Sequence, residues 1–452
     1  MTATRESSSG QRSMLHRLRL APPVPLGPGQ LPVLLLLGLS VALGRYDTEL
    51  LSLVVPYVQA DIHIPESAIA SLVGYSKLGI IAGVLLGLLA DRFGRARLLT
   101  FTILGFSVAT AATAFAQTPA QFIAAQFWAR AFIDTEAGFA VVIAVEILAR
   151  QNRGWALGYG AAFAALGSGV AALGFAFIEY FPGTWRALYF ASLIGIFLLA
   201  FMRRNIRETE RFAAAHRDAK AAGVSQRLFA PLASLFKSIY RARLIRLSLA
   251  QAIFAFGVAS AFALQAKHLI EIHGFRPSDI TVLFIFGGAV AILGNLAGGN
   301  LADRFGRKPV LAVFLILTAI GIAGFFNTDG RVMVGFWILY AFSQFAAGII
   351  FTAYEAELFP TRQRATAGGI TSVAATLGFT AGTLSEGVLF AITGSHQIAV
   401  SLLAMTVPFA FLVIARHLPE TANQDLDDVS PDMEANPAAG AALGVVHAQL
   451  EK

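Results

Sequence analysis

Apolar residues in this chain do not alternate with polar ones at a helix or strand period. They come in blocks of about twenty, separated by short polar stretches. A block of that length, coiled as an α-helix, crosses the hydrocarbon core of a bilayer. Six blocks cover 31–58, 67–90, 98–117, 120–148, 156–179 and 186–203, and six more cover 244–270, 279–301, 309–326, 332–358, 366–393 and 397–416. Between the two series runs a charged segment, including ETERFAAAHRDAKAA, whose pattern fits short helices lying on a membrane surface. The expected fold class is an all-α membrane protein of 12 transmembrane helices. Its parts are a disordered tail over 1–30, an N-terminal six-helix bundle over 31–206, a linker over 207–243, a C-terminal six-helix bundle over 244–418 and an acidic, Ala-rich tail over 419–452, expected to be disordered after about 422.

The polar positions that interrupt the blocks repeat. LADRFGR stands at 89–95 and again at 301–307, an offset of 212 residues. Glu146 precedes Arg153 by seven residues at the end of the fourth block, and Glu357 precedes Arg364 by seven at the end of the tenth, offset by 211. Glu208-Thr209 recurs as Glu420-Thr421, and Pro65 recurs as Pro277, both offset by 212. Four features sharing one offset mark a tandem duplication of a six-helix unit. An even number of helices gives both copies the same orientation, so the repeats are parallel.

Composition agrees: 56% of residues are hydrophobic and 13% are charged, about half the charged share of soluble domains. The absence of cysteine excludes disulfides, thiolate nucleophiles and Cys-ligated metals. The net charge of +7 is explained by where the basic residues lie. With the N-terminus inside, 27 of the 34 Lys and Arg fall on the cytoplasmic side, three (Arg186, Arg276, Arg331) fall outside and four (Arg45, Lys77, Arg130, Lys267) lie within spans. The positive-inside rule then puts both termini in the cytoplasm. The basic balance records contact with an anionic bilayer, and no nucleic-acid partner is expected. Residues 1–30 lack the short apolar core and small-residue cleavage site of a signal peptide. A monomer in a bacterial-type inner cell membrane is expected.

The loop after the second block reads Gly–x3–Asp–x2–Gly–Arg, here Gly87, Asp91, Gly94 and Arg95, and its second copy is Gly299, Asp303, Gly306 and Arg307 followed by Lys308. On this loop the chain resembles the major facilitator superfamily over roughly 31–422. The first copy departs from that pattern at Ala96, where a second basic residue is usual. The Glu–x6–Arg pairs, EAELFPTRQR above all, and the PET after the last block resemble the sugar-porter and metabolite–proton symporter branches. The resemblance implies a cytoplasmic gate in which the loop residues make charge contacts with Glu146 and Arg153, and with Glu357 and Arg364. Chemically, Gly87 and Gly299 allow close helix approach, Asp91 and Asp303 can pair with arginine, and Gly94 and Gly306 permit a sharp turn.

Ionisable residues deep in a span are costly and are candidates for function. They are Arg45, Asp47, Glu49, Lys77, Arg130, Asp134 and Glu136, three bases and four acids. The i,i+4 spacing pairs Arg45 with Glu49 and Arg130 with Asp134, leaving Asp47, Glu136 and Lys77 less committed. Asp47, Glu136 and Glu49 are the candidates for proton coupling. Asp47 stands first, because its RYD context resembles the first-span Tyr–Asp of proton-coupled porters. Arg45, Lys77 and Arg130 are candidate substrate contacts. The second half shows no acid or base near mid-membrane and offers Gln251, Tyr340 and Gln344, on spans that the resemblance places at the cavity.

No Gly-x4-Gly-Lys-Ser/Thr loop is present, and the histidines are scattered without metal-ligand spacing, so neither a pump, an enzyme nor a cofactor is implied. The expected function is secondary transport of a small organic acid, zwitterion or aromatic metabolite by alternating access, with proton symport. Drug–proton antiport and a non-transporting ligand sensor remain alternatives. A glutamine-rich seventh span of the sugar-binding kind is missing.

Overall fold

A computed structural model describes residues 22–27, 29–93, 95–148, 152–193, 230–360, 363–425 and 429–431. Among these residues every regular element is helical. The first half contains α1 (Gln30–Leu53), α2 (Val55–Ile62), α3 (Ile69–Lys77), α4 (Gly79–Phe93), α5 (Arg95–Thr113), α6 (Pro119–Ile147), α7 (Arg153–Ala176) and α8 (Trp185–Phe190). The second contains α9 (Ala230–Lys237), α10 (Arg241–Lys267), α11 (Pro277–Phe305), α12 (Arg307–Asn327), α13 (Gly330–Glu357), α14 (Arg364–Thr393), α15 (His396–Ala404) and α16 (Phe409–His417).

Among the described residues nine helical stretches are long and apolar enough to cross a membrane. The third expected span contributes the shorter apolar stretch Leu98–Thr113. The fourth, α6, is 29 residues long but carries Arg130, Asp134 and Glu136 along its length. Most of the sixth lies outside the described residues. Large apolar side chains point outward, with Val282 at 69% and Ile392 at 75% exposure, as lipid-facing helices require.

Helix ends follow local chemistry. The Thr118 hydroxyl caps α6 by accepting from the Gln121 amide at 3.3 Å, with Pro119 in the first turn, where no N–H is needed. Asp279 accepts from the Arg276 amide at 3.1 Å at the start of α11, with Pro277 in the first turn. The Ser395 hydroxyl caps α15. Gly306 joins α11 to α12 at φ 98, ψ 148, a conformation open to glycine and strained for other residues.

The described residues form two compact units. One holds those before Val58 and those from Gly79 through α8; the other holds Val58–Leu78 and everything from α9 onward. The expected N-terminal bundle ran unbroken over 31–206, so the grouping of Val58–Leu78 is a departure. Its cause is local: Gly74 on α3 lies where a Cβ would strike Thr383 on α14, and the Thr380 hydroxyl donates to the Gly74 carbonyl at 2.9 Å.

Close helix approach uses glycines other than those expected. A Cβ on Gly87 or on Gly299 would meet nothing within 4 Å. Instead Gly83 packs against the Ala131 carbonyl and Gly294 against the Phe342 carbonyl, equivalent pairs 211 residues apart that bring α4 to α6 and α11 to α13. Gly167 against Ala42 and Gly378 against Ala252 do the same for α7 with α1 and α14 with α10. The duplication is therefore visible in packing as well as in sequence.

The tail after about 422 was expected to be disordered. Part of it is bonded instead: the Asn423 amide donates to the Asp303 carbonyl at 2.9 Å, Arg243 to the Val429 carbonyl at 2.6 Å and the Tyr240 hydroxyl to the Pro431 carbonyl at 2.7 Å. Val429 and Ser430 are buried, because carbonyls with charged and phenolic donors can leave water.

Candidate functional site

In the unit that contains α1 and α6, a cavity of about 200 Å³ opens between these helices. It is lined by Ser40, Arg45 and Thr48 from α1 and by Arg130, Asp134 and Glu136 from α6, with Gly44 packed on Ile133 beside it. The helical repeat places Arg45 and Thr48 on one face of α1, and Arg130 and Asp134 one turn apart on α6.

The two arginines differ in commitment. Arg130 donates to the Thr48 hydroxyl at 2.7 Å and lies 3.3 Å from Asp134, the expected i,i+4 pair. Arg45 is exposed and makes no side-chain hydrogen bond or ion pair among the described residues. Glu49 is half-buried one turn away. Glu136 is 3% exposed, and its Oε1 has no hydrogen-bond partner. The cavity thus offers one uncommitted cation and one carboxylate oxygen with nothing to accept from.

Asp47, two residues from Arg45, faces away from the cavity. It is 2% exposed and accepts from the Gln126 amide at 3.4 Å, and the same amide donates to Thr113 at 3.1 Å. Asp47 is therefore held by a neutral side chain that the sequence reading had not singled out.

Lys77 belongs to the other unit, where its Nζ sits 4.3 Å from the Phe262 ring centre and 3.8 Å from that of Phe379. The second-half candidates Gln251, Tyr340 and Gln344 have neighbours of their own. Gln251 donates to Glu355 at 2.8 Å, and Thr371 donates to the same oxygen at 2.5 Å. Tyr340 is buried with its hydroxyl toward Gln344, one helical turn on. Trp337 is tied to Gln265 at 3.3 Å.

Two acids of the second half escaped the sequence reading. Glu355 stands two residues before Glu357 within EAELFPTRQR, and fully buried Glu386 stands seven residues before the end of α14. An acid inside an apolar run was the available signal for Glu386.

The second charged turn forms a closed network within its unit. Arg307 grips both oxygens of Glu357, at 3.0 and 2.6 Å, and reaches Asp303 at 2.6 Å. Glu420 accepts from the backbone amides of Arg307 at 2.7 Å and Lys308 at 3.0 Å. Arg364 is turned elsewhere and donates to the Phe359 carbonyl at 3.0 Å. In the first copy, Gly94 and the side chains of Asp91, Arg95, Glu146 and Arg153 lie outside the described residues.

The chain matches the sequence model of the Major Facilitator Superfamily over residues 37–275 and 247–439. It is 26% identical over 386 residues to the cis,cis-muconate transport protein of Acinetobacter baylyi, covering 79% of this chain and 89% of that one. It is 24% identical over 419 residues to the niacin transporter of the same organism, covering 86% and 94%. The inward-open structure of the E. coli xylose transporter superposes with a TM-score of 0.69 at 18% identity, covering 88% of this chain and 99% of that one, a likeness of fold.

Proposed function

Because the chain belongs to the Major Facilitator Superfamily, we propose that it carries a small organic carboxylate across the membrane by alternating access, together with a proton. Membership makes it an integral, multi-pass protein of the cell membrane and a transporter of small organic solutes, not an enzyme. The carboxylate and the proton are our reading of the cavity.

The observation that carries this reading is the pairing of an uncommitted Arg45 with a partnerless Glu136 oxygen in one cavity. Arg45 can take a substrate carboxylate as a charge-assisted, two-pronged hydrogen bond. A second negative charge on Glu136 opposes that anion. At a separation of roughly 6 Å and an effective dielectric of about 20 the repulsion is about 3 kcal/mol, on the order of a hundredfold in affinity. A proton on Glu136 removes it, so anion and proton bind each other's form of the site, which is the linkage symport needs. Asp47 is the second proton candidate, since it is buried and its hydrogen-bond donor Gln126 is neutral. Names of relatives support the class: muconate is a carboxylate, and niacin is a pyridine carboxylic acid. In the second charged turn, the Arg307, Asp303 and Glu357 network is our candidate for the gate.

The test is the purified full chain in liposomes with an internal pH dye, given nicotinate, cis,cis-muconate and the neutral amide nicotinamide. Carboxylate-dependent acidification of the lumen is expected, with none from the amide. Glu136→Gln should abolish accumulation driven by a pH gradient while keeping exchange, and Asp47→Asn should lower it less. Silence with every carboxylate would overturn the reading, and proton movement opposite to the solute would make it antiport.

A further inference from the structure

A second group of ionisable side chains lies in the other unit and shares no residue with the Arg45 cavity. Its core is Glu386 on α14, wholly buried, whose Oε1 is 2.6 Å from His396 Nδ1. The second Glu386 oxygen is buried with no partner. The other ring nitrogen of His396 is 3.2 Å from Glu66, in the short turn before α3. Glu66 is in turn 3.2 Å from Lys267, the last residue of α10, which also reaches Glu271 at 2.5 Å and Gln59 at 2.8 Å. The Phe390 ring stacks on His396 at 4.1 Å between centres. A chain of alternating charge thus runs from α14 through α15 and the Glu66 turn to α10.

The link at His396 depends on one proton. Two carboxylates face its two ring nitrogens, and only the imidazolium donates to both; neutral imidazole leaves one nitrogen as an acceptor against an acceptor. The other ionisable groups nearby are already placed: Lys267 and Glu271 come from α10 and the turn after it, and Glu66 from the turn before α3. Helix α12 contributes neutral Asn327, bonded to Ser401 on α15 at 2.7 Å. His273 lies 3.7 Å from Asp329 and 3.1 Å from His268, a separate group.

The ionic links stand beside close backbone approaches. Gly387 on α14 lies against the Ser67 carbonyl, and Gly74 against Thr383. Apolar side chains of Val58–Leu78, among them Ile69, Leu72 and Val73, are buried as well, so the ionic links bias a contact that packing also holds. Solvent reaches the chain at Glu66, whose side chain is 47% exposed, whereas Glu386 is closed off at 0%.

We propose that His396 and Glu386 form a proton-binding site whose protonated form clasps Val58–Leu78 to α14 and α15 through Glu66. The clasp closes on gain of one proton and loosens on its loss, and Lys267 supplies a second hold on Glu66 that does not pass through His396. The site goes beyond the transport reading and needs no substrate.

The chain has no cysteine, so Ser67→Cys with Ile392→Cys gives a clean pair for spin labels, read by pulsed dipolar distance measurement in lipid nanodiscs. From about pH 5.5 to about 8.5, the range in which histidine titrates, the short-distance population should fall. One linked proton changes the closing constant by up to about tenfold per pH unit. His396→Gln and the near-isosteric Glu386→Gln should each give a distribution independent of pH. Lys267→Met should lower the short population at every pH and keep its slope. A pH-invariant distribution in the labelled parent overturns the proposal, and so does an unchanged slope in both His396→Gln and Glu386→Gln.

Discussion

Arg307 and Glu357 face each other as fork to fork, with Nε and Nη2 of the guanidinium on the two carboxylate oxygens at 3.0 and 2.6 Å. A planar, two-pronged pair is what lysine cannot reproduce. Arg307→Lys should therefore cost about 1–3 kcal/mol at this contact, slowing transport several-fold while leaving insertion intact. Solute uptake rates normalised to the amount of folded protein check this. Equal rates for the parent and Arg307→Lys would remove the pair from the transport cycle.

Arg45 gives a sharper test of the cavity. It lines the space with no bond of its own among the described residues, so its loss exposes no buried partner. Arg45→Gln should raise the KM for a carboxylate probe such as nicotinate by about 10- to 100-fold, the value of a charge-assisted bond. Thermal stability should stay within roughly 0.5 kcal/mol, as for a substitution that breaks no buried contact. If KM is unchanged, the substrate anion binds elsewhere.

Two neighbouring glycines separate packing from motif. Gly298 lies where a Cβ would strike the Ala346 carbonyl, whereas Gly299 faces open space. Gly298→Ala should destabilise the detergent-solubilised protein by about 1–3 kcal/mol through overpacking, while Gly299→Ala changes it little. Thermal unfolding followed by light scattering distinguishes them. The reverse order would mean that the motif glycine has a packing role in another state of the protein.

Spans, duplication and the Arg130–Asp134 pair follow from blocks, offsets and helical spacing, all of which are local. The Gly87 and Gly299 expectation failed because composition says that a glycine permits close approach, not which face meets a neighbour. Lys77 was placed with Arg45 and Asp47 by depth alone, yet its ammonium lies over Phe262 and Phe379. Glu386 and His396 are ten residues apart across a helix end and meet only because α14 and α15 fold back on each other. Gln126 reaches Asp47 across 79 residues, a pairing that only the tertiary fold can create.

Glu420, in the PET segment beyond the last helix, ties the charged turn to pH. Burial alone would raise its carboxyl, yet the amides of Lys308, Arg307, Ala422 and Thr421 donate to it and hold it below its ordinary value of 4.5. A carboxyl depressed by folding contributes stability above its unfolded value and loses that contribution as pH falls through its folded value. Glu420→Gln should therefore lower the thermal midpoint at neutral pH, and the gap to the parent should close below about pH 4. Lys308 also donates to the Ala415 carbonyl at 3.2 Å, so the same loss should loosen the start of α12 from the end of α16. Melting curves of parent and variant across this pH range decide the matter. A gap that stays constant into acid would show that Glu420 acts by shape, and the charge of its carboxylate would then be incidental to the turn.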